Sequence, residues 1–151
     1  MTMDTVTPDF KKSLVRKQAC FSKLTEDELE QLAELFIPKE FKKGDTIVTE
    51  GDVVDSVFLI VQGTVDVQHV LIKDNNTPEV QSVATLKPGD AIGLNDTGFY
   101  SLSGRRTATV VANSDLLLLC LSMPSFHGFA LSYPHVSEIM RQNAYDSGVK
   151  F

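Results

Sequence analysis

Tryptophan is absent from the sequence, cysteine and histidine are scarce, and basic residues are outnumbered: there are two Cys, three His, and 14 Lys+Arg against 20 Asp+Glu, for a formal net charge of −6. Each shortage removes a class of function. The excess of acid repels phosphate backbones and anionic lipid, so neither nucleic acid nor membrane insertion is expected. Cys20 and Cys120 lie far apart, with no Cys-x-x-Cys and no histidine at ligand spacing. The expectation is two reduced thiols, at least one of them buried in a strand, in a cytoplasmic protein. His69, His127 and His135 are scattered, without HExxH or a paired carboxylate; no metal is expected, and the three are read as surface or packing residues. Ser101, Ser103 and Ser114 lack the G-x-S-x-G context of an activated nucleophile, so no catalytic residue is assigned and no enzyme is expected. The start, M-T-M-D-T-V-T-P-D, carries acid and lacks the apolar segment of a signal peptide. The longest apolar run, L-L-L-L-C-L at residues 116–121, suits a buried strand and is too short to span a bilayer.

What is present is enough for one core: 42% of the 151 residues are hydrophobic and 23% are charged, the proportions of a single domain that folds alone. Phe10, Leu14 and Val15 predict a short helix from Pro8 to about Arg16. Thr25 and Glu28 have the spacing of a capping box, in which hydroxyl and carboxylate each satisfy an orphan amide. Leu29, Leu32, Ala33 and Phe36 then form a buried stripe, with Glu26, Asp27, Glu30 and Gln31 facing water; packing explains this helix fully and no site is assigned to it.

From Ile37 the period changes from helical to alternating, and turn signals recur about every ten residues, the cadence of an antiparallel barrel or sandwich. Strands are expected over T-I-V-T-E, D-S-V-F-L-I-V, T-V-D-V-Q-H-V-L-I, V-Q-S-V-A-T-L, T-A-T-V-V-A and the run at 116–121, with an exposed hairpin tip at residues 73–79. About eight short strands without long intervening helices make an antiparallel β-roll or jelly roll. After Ser122, Phe126, Phe129 and Leu131 recur at near-helical spacing, Tyr133-Pro134 breaks the helix, and a second one carries Val136, Ile139 and Met140 to about Tyr145. Helices at both ends of a roll suit either a lid or simple covering of its edges.

One stretch, residues 87–112, reads K-P-G-D-A-I-G-L-N-D-T-G-F-Y-S-L-S-G-R-R-T-A-T-V-V-A. A Pro-Gly-Asp turn leads into a loop punctuated by Gly93, Gly98 and Gly104, and the chain re-enters a β-branched strand just after Arg105-Arg106. Free backbone amides closed by a guanidinium are a physical recipe for holding a phosphate. The same pattern also describes an ordinary turn beside a solvated charge. Arg105, one position off the clamp on an alternating strand, is expected on the opposite face, in solvent.

The ordered series K-G-D, I-V-T-E-G-D, D-S-V-F-L-I-V-Q-G-T-V-D-V, L-K-P-G-D, I-G, R-R-T-A-T-V and F-x-x-F-A-L-S-Y-P-H-V-S-E-I-M, across residues 21–140, resembles the cyclic nucleotide-binding domain family. That family includes kinase regulatory subunits, cyclic-nucleotide-gated channels and catabolite-activator-type regulators. The resemblance implies a β-roll over residues 21–145, with an N-terminal helical extension (1–20), C-terminal helices as a lid, and a tail (146–151). It implies a non-catalytic sensor of cAMP or cGMP, with the nucleotide as regulatory ligand rather than cofactor. Arg106 would clamp the cyclic phosphate, with Gly93, Thr107 and Ala108 around it and amides near Asn95, Asp96 and Ala108 as neutral donors. Thr107 sits where some members touch the purine and does not settle the base.

The cassette also departs from the family pattern. Leu94 occupies the acidic position that bonds the ribose 2′-hydroxyl and cannot accept a hydrogen bond, and the span from Gly93 to Arg106 is longer than usual. Asp96 or Asn95 could take over the ribose contact, or Asp96 and Thr97 could merely cap a short helix. Phe99 and Tyr100 could form a purine platform or plug the pocket. No helix-turn-helix, kinase or channel segment follows Phe151, so the expected partner is a separate effector protein or domain, and a homodimer is possible. The alternative is a degenerate module that keeps the roll for protein contacts and no longer binds nucleotide.

Overall fold

The first helix, α1 (Pro8–Arg16), starts on Thr7, whose hydroxyl accepts from the Phe10 amide at 3.1 Å, and Pro8 fills a first-turn position that needs no amide. The computed structural model describes residues 6–95, 98–99 and 104–146. A single 3₁₀ turn at Ala19–Phe21 leads to α2 (Glu26–Leu35). Its capping box is the one the spacing predicts: Thr25 Oγ1 accepts from the Glu28 amide at 3.2 Å and the Glu28 carboxylate accepts from the Thr25 amide at 2.8 Å. Leu29, Leu32, Ala33 and Phe36 are buried, and Glu26, Asp27, Glu30 and Gln31 are exposed.

The strands are β1 (Ile37–Phe41), β2 (Thr46–Val48), β3 (Ser56–Gln62), β4 (Val65–Ile72), β5 (Pro78–Leu86), β6 (Ala91–Ile92), β7 (Leu94–Asn95), β8 (Gly98–Phe99), β9 (Thr109–Ala112) and β10 (Leu116–Ser122). Eight of them form two four-stranded antiparallel sheets, ordered β1-β10-β3-β6 and β2-β9-β4-β5, while β7 and β8 make a small hairpin. Two helices follow, α3 (Met123–Ser132), capped by Ser122, and α4 (Pro134–Asp146). This is the expected mainly β roll with flanking helices.

The uninterrupted apolar runs of β3 and β10 have a simple cause, which is burial on both faces. Phe58 and Ile60 of β3 and Leu116, Leu118 and Cys120 of β10 point into the roll with Val65, Ile92, Val110 and Ala112. The intervening Val57, Leu59, Leu117, Leu119 and Leu121 face the helices and pack with Val15, Phe21, Phe36, Phe126 and Val136. Each such side chain contributes about 1.5–3 kcal/mol of burial, so the layer from helices to roll is the main stabilising unit. Cys20 and Cys120 are both buried thiols, and burial pushes the Cys120 thiol up, away from the reactive thiolate.

Several placements differ from the sequence expectation. The β4–β5 ladder continues to Ile72↔Pro78, so the hairpin tip is residues 73–77 rather than 73–79, with Asn76 at φ 60°. Cross-strand pairing outweighs the loop composition there, and Pro78 is tolerated because it begins an edge strand. Strand β2 stops at Val48, short of T-I-V-T-E, and β9 begins at Thr109 rather than Thr107. Leu131, expected among the apolar positions of α3, is 85% exposed, while Phe126 and Phe129 are buried. On α4, Val136 is fully buried and Ile139 and Met140 are half-buried.

Helix α2 carries more than packing. Glu28, 7% exposed at its side chain, accepts from His135 Nδ1 at 2.9 and 3.0 Å, which ties α2 to the first turn of α4. Burial pushes the Glu28 carboxyl up, but the Thr25 amide and His135 outweigh it and hold the group below the usual carboxylate range. A depressed folded-state value contributes stability above the unfolded-state value of about 4.3, and that stability is lost as pH falls through the lower folded-state value. Glu28→Gln keeps the cap but removes the charge. It is expected to cost about 1 kcal/mol at neutral pH and to reduce the acid-side loss of stability, both read from urea unfolding across pH.

Candidate functional site

Gly93 follows β6 at φ 92°, a conformation glycine adopts without strain. A Cβ there would lie 3.0 Å from Val57 Cγ1 and 3.2 Å from Arg106 Nη1. Glycine therefore allows the guanidinium to pass directly over the backbone. Opposite, the segment entering β9 is tied to the turn after β2: the Arg106 amide donates to Asp52 O at 2.7 Å, Arg106 O accepts from the Gly51 amide at 2.9 Å, and Gly104 O accepts from the Val54 amide at 2.8 Å. Arg105 is exposed and donates to Gly51 O at 3.3 Å, whereas Arg106 is buried; both precede β9, which begins only at Thr109.

Arg106 is buried, its side chain only 5% exposed, and Nη2 is fully engaged by the start of β3: Ser56 O at 2.7 Å, Ser56 Oγ at 3.3 Å and Asp55 Oδ1 at 3.4 Å. Among the described residues Asp55 is its one ion-pair partner, and that carboxylate is 82% exposed. Burial is the largest influence on the guanidinium and lowers its pKa, with Asp55 opposing, yet an arginine stays cationic. The site thus holds a largely desolvated positive charge, with the Asp55 and Asp52 carboxylates opposing the effect of burial.

That charge faces a cavity of about 360 Å³, at the small end of the roughly 300–1,000 Å³ typical of small-molecule sites. Gly93, Leu94, Arg106, Thr107 and Ala108 line it together, and the rest of the wall is apolar apart from His69: Val48, Val54, Val67, Val83, Ala84, Leu86, Ala91, Ile92 and Val110. Asn95 lies on β7, paired with Gly98; Asp96, Thr97, Tyr100, Ser101 and Ser103 lie outside the described residues, as does the tail beyond Asp146. Leu94 is 8% exposed and also joins the helix-side core with Phe21. Helices α3 and α4 contribute no described residue to the cavity; α4 instead touches β8 of the small hairpin.

Sequence reasoning missed the wall of this cavity. His69, read as a surface or packing residue, stands on it beside Val67, and its Nδ1 lies 3.1 Å from Glu50 Oε1. The alternation of β4 places Val65, Val67 and His69 on one face, so the signal was present. Which side of the sheet that face adjoins was not.

The sequence profile of the cyclic nucleotide-binding domain family matches residues 38–133, and the chain belongs to that family, a class of regulatory rather than catalytic domains. It is 25% identical over 134 residues to the transcriptional activator protein FnrL of Cereibacter sphaeroides, covering 87% of this chain and 49% of that protein. The chain therefore spans about half the length of that curated relative. The fold is shared with the N-terminal domain of a transcriptional regulator from Streptomyces coelicolor A3(2), with TM-score 0.73, 21% identity and 89% of each chain covered. It is shared also with the regulatory domain of Toxoplasma gondii PKA, solved with cAMP, with TM-score 0.70, 21% identity, and 85% of this chain and 46% of that one covered. Among the described residues no helix is long and apolar enough to cross a membrane, and no group of three His, Cys, Asp or Glu could hold a metal ion.

Proposed function

We propose that this domain is a cyclic nucleotide sensor in which Arg106 holds the cyclic phosphate of cAMP or cGMP. The observation that carries the reading is the buried Arg106 guanidinium: Nη2 is held by Ser56 and Asp55, and Nη1 lies beside Gly93 on a cavity whose other side chains are apolar except for Thr107 and His69. A cyclic phosphate would place a negative charge beside that cation, with amides near Ala108 as neutral donors, and the valine-rich wall would take the base and ribose. The T. gondii PKA domain that shares the fold was solved with cAMP. Ligand would engage Gly93 and Arg106 at the two ends of the loop, and the helices over residues 124–145 would close towards it, passing the signal to an effector protein or domain by differential affinity for the closed state.

The test is thermal unfolding with and without millimolar cAMP or cGMP. Ligand at a hundred times its dissociation constant adds about 2.7 kcal/mol, and a domain of this size gains about 2–4 °C per kcal/mol. A rise of several degrees is expected. A second reading, a roll retained for protein contacts alone, is favoured by one observation: Leu94 offers no acceptor where the family bonds the ribose, and packs into the helix-side core. No shift with either nucleotide would make that reading the better one.

A further inference from the structure

The polar groups on the cavity wall fall into two sets: Arg106 with Thr107 at the glycine loop, and His69 on β4, with valines also on the wall. The His69 ring is 42% exposed but has a partner. Its Nδ1 faces Glu50 Oε1 at 3.1 Å, and the Glu50 amide donates to Thr109 Oγ1 at 3.0 Å, which fastens the carboxylate's own backbone to β9. An ionised carboxylate can only accept, so Nδ1 carries the proton and the Nε2 of a neutral ring is left as an acceptor.

Resting on the cyclic nucleotide reading, we propose that the Glu50–His69 pair is the specificity determinant of this pocket, selecting a base edge that presents a donor, the 6-amino group of adenine, against one that presents a 6-oxo acceptor. A ligand anchored by its phosphate at Arg106 lays its base along the apolar wall, and Nε2 is the acceptor available there to an exocyclic amine. A 6-oxo group in the same place sets two lone pairs against each other. Such an unpaired or repulsive contact is how a site rejects an isostere. Glu50 acts through His69 as a positioning residue, because it sets the tautomer.

The experiment compares binding of cAMP and of inosine 3′,5′-cyclic monophosphate, which replaces the 6-amino group with an oxo group, by titration calorimetry on the wild type, His69→Ala and Glu50→Gln. Wild type is expected to bind cAMP about tenfold more tightly. His69→Ala brings the two affinities together, with both ligands still bound. Glu50→Gln, whose amide can donate to Nδ1 and so place the proton on Nε2, removes or inverts the preference without removing the ring. A wild type that binds both ligands equally overturns the inference and leaves the sensor standing. A preference that survives His69→Ala and Glu50→Gln does the same, as does a loss in either variant that is equal for both ligands. Failure of the wild type to bind either ligand, or cGMP, overturns the sensor reading and this inference with it.

Discussion

Arg106→Ala is expected to abolish the thermal shift that cyclic nucleotide gives the wild type while leaving a folded domain. Two charge-assisted hydrogen bonds to a phosphate, at about 1.5–3 kcal/mol each, amount to a loss of at least about a hundredfold in affinity. Ligand that saturates the wild type then leaves the variant unoccupied. The unliganded fold should change much less. Truncation removes the bond to Ser56 O at 2.7 Å but also relieves a buried cation whose carboxylate partner is exposed, and these terms oppose within about 1–2 kcal/mol. Arg106→Lys separates charge from geometry. The guanidinium holds Ser56 with Nη2 while Nη1 stays at Gly93; a single ammonium cannot do both, so affinity should fall at least about tenfold although the charge is kept. Calorimetric titration checks both variants, and full binding by Arg106→Ala would place the anion elsewhere.

Gly63→Ala is expected to be the most damaging small substitution in the roll. Gly63, between β3 and β4, has φ 93°, and a Cβ there would lie 2.4 Å from Asp115 O, 2.7 Å from Leu116 Cδ2 and 2.8 Å from Ser114 Oγ. The nearest of these is backbone, so no rotamer change relieves it. Relief requires moving this turn away from the turn that leads into β10, at the expense of the Thr64 amide bond to Ser114 Oγ (3.1 Å) and the Asn113 amide bond to Thr64 O (3.0 Å). Left-handed strain in alanine of about 1–2 kcal/mol adds to the clash, for a total of about 3 kcal/mol or more and a melting temperature lower by roughly 6–12 °C. Gly89→Ala is the control: φ is 94° but nothing lies within 4 Å of its Cβ, so only the strain should appear. Equal losses in the two variants would show that the close approach at Gly63 has no energetic weight.

The elements whose signals lie within a few residues were legible in the chain. The Thr25–Glu28 capping box, the strand at residues 116–121 and the Tyr133-Pro134 break are all present in the structure. Each rests on a cap, a period or a missing amide, and those preferences act before any tertiary contact forms. Of the site, Gly93 and Arg106 were visible as a glycine loop closed by a guanidinium.

The pairings that give those residues their surroundings were not visible. Glu28 meets His135 across a sequence separation of 107 residues, whereas local spacing marks Glu28 only as a capping carboxylate and His135 only as a surface or packing residue. The cavity wall draws on β2, β4, β5, β6 and β9, and β4 is amphipathic whichever side of the sheet the cavity occupies. The faces of β3 and β10 could not be told apart from composition, because both are apolar. Leu131 fits an apolar helical stripe, yet among the described residues no element covers it and it is exposed. Local sequence sets the conformation each segment prefers, since φ/ψ preferences and capping act over a turn or less. Which side chains share a pocket or lose their water is set by how sheets and helices stack, a collective outcome of burial and chain topology that no single segment encodes.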